Sequence, residues 1–251
     1  MFPENKKQRE DYMYQKVLDG EFEAKWVDIV KTIDGHELKV QVMEDALKID
    51  GVRINVSANL SQKFADLFDA SLPTPMMADL MYLEATKKAD PAPRSISSSV
   101  DSMIKHSEEV SRRLGPGPGL CGTVGKHWVL SKSLETSPGR ACNYGWHFTG
   151  SSYQGITGTT ASGATKFGVQ LRVIQGPGTA HDAEHSDYSQ ICQLISQCCW
   201  IDGIEKRFSD LLKDPQMAGL VSHQGVLAID RQPGTKKTND LYVMFPEVIV
   251  L

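Results

Sequence analysis

The sequence predicts an α+β fold, with N-terminal antiparallel strands and helices packed against a Gly-rich, mainly β second half. Three observations carry that prediction. Short alternating β-rich runs cluster before residue 56, and apolar stripes at helical spacing follow up to residue 114. After that, Gly, Ser and Thr dominate between strand-like segments. Hydrophobic residues make up 40% of the 251 and charged residues 23%, a composition that buries a core rather than staying unfolded.

Residues 5–25 mix charges with Tyr12, Tyr14, Val17, Leu18 and Phe22, which reads as an amphipathic helix. VDIVKTI, ELKVQVM and VRINV then read as a small antiparallel meander, with Asp34-Gly35 and Asp50-Gly51 as turn dipeptides. Ser57 or Asn59 caps a helix whose apolar face carries Leu60, Phe64, Leu67 and Phe68. Thr74-Pro75 starts the next one, MMADLMYLEA, which is apolar on more than one side; Met76, Met77 and Met81 are core filler. KKADPAPRSISS is a linker or long surface connection, followed by a polar helix over 99–114 that GPGPG ends. Strands are expected at KHWVLS, RACNYGWHF and KFGVQLRVI, a helix at 203–220, and a closing strand at DLYVMF or VIVL. The organisation read from this is an N-terminal α+β region (1–90), a linker with a polar helix (91–119) and a Gly-rich functional region (120–251).

The net charge of −4 argues against a nucleic-acid binder, because phosphate affinity needs clustered basic residues. No apolar run reaches the roughly 20 residues that span a bilayer, and the first ten residues have no apolar signal-peptide segment. A cytoplasmic or virion-associated chain is therefore expected. Cys121, Cys142, Cys192, Cys198 and Cys199 are odd in number and form no CxxC pair, so neither a disulfide framework nor a paired-cysteine zinc site is indicated.

Chemistry concentrates in the second half. Gly125-Lys126-His127, Asn143-Tyr144-Gly145-Trp146-His147 and the run His181 to Ser189 hold titratable groups at strand ends and in loops, where rigid scaffolds present sites. Three readings of the last run stand side by side. His181 and His185, four apart with Glu184 between, fit the inverted zinc-peptidase pattern HxxEH if the segment is helical. Alternatively, Ser189 or Cys192 is a nucleophile, a His (His147 or His185) the base, and Asp187 its orienter. The third reading is a solvated polar loop. His36 and His106 read as surface residues.

VRINVSANLSQKFAD, LPTPMMADLMY, GKHWVLSKSL, ACNYGWHF, HSDYSQICQLI and DPQMAGLVSHQG resemble segments of a family of uncharacterised bacterial and phage proteins. That resemblance covers Gly51 to Gly225 and implies that Lys126, Tyr144, His147, Asp187, Tyr188 and Ser189 occupy its motif positions. The spacing of Ser189 and Cys192 also resembles the Ser-His-Gly-Cys motif of L,D-transpeptidases, although Gln190, Ile191 and Leu194 replace the motif's His, Gly and following Arg. Together these readings lead to an expected hydrolase or transferase acting on a cell-wall, peptidoglycan-like polymer or peptide. In it, His147, Asp187, Ser189 and Cys192 do the chemistry, and Lys126 and Tyr144 stabilise developing negative charge. The alternatives are a structural or assembly protein such as a phage virion component, whose apolar EVIVL end pairs with a neighbouring sheet edge, and a zinc-dependent peptidase using His181 and His185.

Overall fold

The computed structural model describes residues 1–237 except Thr123, Thr149, Ser151, Gly155 and 162–165. The expected closing strand and the EVIVL end lie outside the described residues. Helix α1 (Lys6–Leu18) starts at Asn5, whose side chain accepts a hydrogen bond from the Gln8 amide, and buries Arg9, Met13 and Val17 on one stripe. Strands β1 (Trp26–Ile33) and β2 (His36–Met43) form a hairpin through Asp34 and Gly35, both at positive φ (50° and 87°), as a type I′ turn requires. A short second hairpin, β3 (Lys48–Ile49) and β4 (Val52–Arg53), turns at Asp50-Gly51. VRINV therefore pairs only over its first two residues, and Asn55 bridges instead to Ile191.

Helix α2 (Ala58–Leu67) is capped by Ser57, which accepts from the Leu60 amide. After β5 (Ala70–Ser71), α3 (Pro75–Glu84) begins at Thr74, with Pro75 in its first turn. It is buried from Pro75 to Tyr82, its methionines lying in the core. The connection that follows contains β6 (Lys87–Lys88) and is tied down where the Tyr188 hydroxyl accepts from the Arg94 amide and donates to the Arg94 carbonyl. Helix α4 (Val100–Leu114) buries Met103, His106, Ser107 and Val110. His106 is thus a core residue and not a surface one, because it falls on the i, i+3, i+4, i+7 stripe.

The second half supplies β7 (Cys121–Gly122), β8 (Lys126–Val129), β9 (Arg140–Phe148), β10 (Ser152–Tyr153), β11 (Ile156–Thr157), β12 (Thr159–Thr160), β13 (Arg172–Asp182), β14 (Gln190–Ile191), β15 (Ile195–Ile201) and β16 (Ile204–Arg207), then the short helix α5 (Phe208–Lys213). Five strands form a sheet in the order β12-β13-β9-β8-β14, antiparallel except for β14 against β8. A second sheet runs β1-β2-β15-β16, with β5 beside β15. The third strand on the N-terminal hairpin is therefore β15, from the far end of the chain, and not VRINV. One apolar cluster extends from Phe2 to Leu227, so the regions before and after the linker share a core as well as a sheet.

Two further expectations change. The helix placed over 203–220 is a strand first, because Asp202 and Gly203, both at positive φ (51° and 78°), close a β15–β16 hairpin; helix α5 follows for six residues. Strand β13 starts later than expected and runs through Gly176-Pro177-Gly178, taking up that three-residue interruption as register shifts against β9. No helix among the described residues is long and apolar enough to cross a membrane.

Candidate functional site

The sequence-predicted residues divide between two clusters on opposite faces of β9. Regular alternation along a strand would put residues 144 and 146 on one face and 147 on the other. Gly145 and Trp146 instead both take positive φ (112° and 63°), which inverts the pleat. Such a conformation is costly for a tryptophan, on the order of 1–3 kcal/mol, and persists only where the surroundings enforce it. As a result Tyr144 and His147 both face α3, while Trp146 faces Lys126, His106 and Tyr188. A side chain at Gly145 would lie 3.4 Å from His127 and 3.8 Å from His147.

On the α3 face, Asp79 is fully buried and accepts hydrogen bonds from the Tyr144 hydroxyl (2.6 Å) and His147 Nε2 (2.7 Å). The Tyr82 ring stacks on His147 with centroids 4.6 Å apart. His127, on the neighbouring strand, is held uncharged: burial pushes it down to about 3 and the His147 charge adds to this, against a hydrogen bond to the Gln193 backbone. The partner of His147 is therefore Asp79 and not Asp187. Sequence reading passed over Asp79, yet its signal was present: it is a lone carboxylate inside an apolar helix, and a buried carboxylate needs partners.

The second cluster gathers Lys126, His181, His185, Asp187 and Ser189. Asp187 Oδ1 accepts from the Ser189 hydroxyl (2.6 Å) and amide (2.8 Å), and the Asp187 carbonyl accepts from Asn55 Nδ2 (2.7 Å). His185 Nε2 lies 3.7 Å from Asp187 Oδ2. Burial pushes the Asp187 carboxyl up, but the Ser189 hydroxyl and amide, the Lys126 charge and Gln190 outweigh it and hold Asp187 below the usual carboxylate range. Burial pushes the Lys126 ammonium down, opposed by Asp187. His181 is pushed down by burial and then by His185 and Lys126. Of these residues, His185 and Asp187 line an open groove of about 530 Å³, beside Lys6, Ile96, Ser97, Ser98 and Asp182.

Several assigned roles change on this geometry. Ser189 is buried and gives its hydroxyl proton to Asp187, so it orients the carboxylate, whereas a nucleophile needs its base at that proton. Cys192 is buried in the main core, and burial pushes its thiol up to about 12, against the Ser61 hydroxyl; it supplies no thiolate. The HxxEH pattern needs a helix, but His181 lies in strand β13 and His185 beyond its end, with their rings stacked 3.9 Å apart and 8° from parallel. In-plane lone pairs of parallel rings do not meet at one ion. Among the described residues, no group of three or more His, Cys, Asp or Glu side chains is placed to hold a metal.

What the second cluster can do is acid–base chemistry: an ionised, buried carboxylate faces an imidazole at the wall of an open groove. No family model, no curated protein and no solved structure matches this chain, so neither resemblance noted above gains support there.

Proposed function

We propose that the chain is a hydrolase or transferase acting on a peptide-bearing polymer of the cell-wall type, with His185 and Asp187 as its acid–base pair. The observation that carries this reading is the pairing itself. Asp187 is fixed by two bonds from Ser189 and faces His185 Nε2 at the groove. Asp187 Oδ2 lies 3.7 Å from Nε2, outside hydrogen-bond distance, and its charge stabilises the imidazolium that forms when the ring accepts a proton at Nδ1. Water, or an acceptor hydroxyl or amine, loses its proton to Nδ1 as it bonds to the substrate carbon; the bond to the leaving group then breaks, and His185 returns the proton to that group. Lys126, whose charge acts on Asp187, is the cation of this cluster that would offset negative charge on the reacting group.

Release of dye from labelled bacterial sacculi tests this. The unaltered protein should release dye, and His185→Ala and Asp187→Asn should each slow it by about 10²- to 10⁴-fold, the usual contribution of a positioned acid–base group. Cys192→Ala should keep the rate. No release by the unaltered protein, or full rates in both variants, would overturn the proposal.

A structural or assembly role is the second reading. It is favoured by the sealing of Tyr144, His147 and Asp79, all at most 2% exposed, in a network that fixes packing without meeting solvent. An inert protein that self-associates in sedimentation would favour it.

A further inference from the structure

Buried polar atoms nearly always find partners. Around Asp187, however, Asn55 Oδ1, His106 Nε2, Trp146 Nε1, His185 Nε2, Gln190 Nε2 and both side-chain polar atoms of Asn143 have none among the described residues. These residues are joined by strand pairing, ring contact and hydrogen bonds to Asp187. Gln190 is the cross-strand partner of Lys126, and Asn143 is that of Trp128, two residues on from Lys126 along the same face. The His106 ring meets Trp146 edge-on at 5.9 Å. Asn55 and Gln190 both bond the backbone of Asp187. Beside Gln190 and Trp146 is Lys126, half-buried, with its ammonium 5.6 Å from the Trp146 ring centroid and with no hydrogen bond or ion pair to that ammonium among the described residues. A half-buried ammonium that feels the Asp187 charge only from beyond ion-pair distance, beside the unpartnered N–H groups of Trp146, Gln190 and Asn143, is a place where an anion can sit.

We propose that this is a carboxylate-binding subsite: the substrate carries a free carboxylate next to the reacting bond, which sits on Lys126 with the N–H groups of Trp146 and Gln190 behind it. The charge count selects the ligand. Lys126 and ionised Asp187 together carry no net charge, so a carboxylate brings this pair to −1, whereas a phosphate dianion would bring it to −2. His185 lies beside Asp187, so a carboxylate on Lys126 places the adjacent acyl bond at the acid–base pair. The choice of bond rests on the proposed function; the binding does not.

The test is calorimetry on the His185→Ala protein, which binds without turnover, using N-acetyl-alanyl-alanine, its C-terminal amide and inorganic phosphate. The acid should bind about 10- to 100-fold more tightly than the amide, the span expected for one charge-assisted contact. Lys126→Met should erase that difference and Lys126→Arg should keep most of it. Equal affinity for acid and amide, or binding of neither, overturns the subsite on the protein with its lysine intact, whether or not the Lys126 variants fold. Tighter binding of phosphate than of the acid overturns the carboxylate assignment. Lys126-dependent binding of the acid by a protein that releases nothing from sacculi would refute the acid–base reading and leave the subsite standing.

Discussion

Acidification should unfold this protein through two histidines that the fold keeps neutral. His106 is 3% exposed and His127 7%, so solvent screens neither. Burial, then Arg53 and Arg94, with Arg113 adding and Asp187 opposing, pushes His106 down to about 4; burial and then His147 push His127 down to about 3. Both folded values lie below the ordinary 6.5, so the unfolded chain takes up protons first. The stability these groups confer is therefore complete above about pH 6.5 and falls as the pH drops toward their folded values. Near pH 5 each unfolded imidazole is almost fully protonated and each folded one almost fully neutral, so the loss is about 2 kcal/mol per histidine and about 4 for the pair. Urea unfolding near pH 7.5 and near pH 5 measures it. His127→Gln should remove about half of this loss, and adding His106→Gln most of the remainder. His181 and His223 shift in the same direction and add to the total, so the deciding quantity is the difference between parent and variant. A double variant that loses as much stability on acidification as the parent would refute the reasoning.

Two further outcomes follow from the packing of the site. Tyr144→Phe deprives the buried Asp79 side chain of one hydrogen-bond donor and should cost about 1–3 kcal/mol in chemical unfolding, the range for leaving a buried polar group short of a partner; an unchanged stability would show that the Tyr144 hydroxyl does not support Asp79. Gly125→Ala places a methyl group 2.6 Å from the Ser189 carbonyl and from Ile191, so β14 must move away from β8. A cost of about 1–3 kcal/mol is expected from such overpacking, with reduced activity because Ser189 holds Asp187; an unchanged stability would mean that β14 yields freely.

Local sequence carried much of the helical architecture. The caps at Ser57, Thr74 and Ser99 stand next to the first helical residue, and the strand at RACNYGWHF is recoverable from its aromatic residues Tyr144, Trp146 and Phe148 together with Ala141 and Cys142. What was missed depends on partners distant in the chain. The pairing of β2 with β15 joins residues more than a hundred positions apart, and no local pattern at VRINV signals that its place in the sheet is taken. The site shows the same division. Lys126, His185, Asp187 and Ser189 could be gathered by composition, but the inverted pleat at Gly145-Trp146 sends His147 to the opposite face and to Asp79. A Tyr-Gly-Trp-His run does not announce a positive φ at tryptophan, because that conformation is imposed by the ring's packing against Lys126, His106 and Tyr188.

The position of β15 also decides when the molecule can become stable. During synthesis the β1–β2 hairpin emerges early, yet the free edge of β2 has to wait until residue 201 is made before its neighbour exists. Until then a ladder of unsatisfied amides and carbonyls is open to any other strand, including the same edge on a second nascent chain. Closing it brings together segments separated by most of the polypeptide, the kind of long loop that slows folding. A ribosome stalled before that point would release an adhesive fragment and not a small folded domain, so this chain depends on being finished, and on protection of that edge while it is being made.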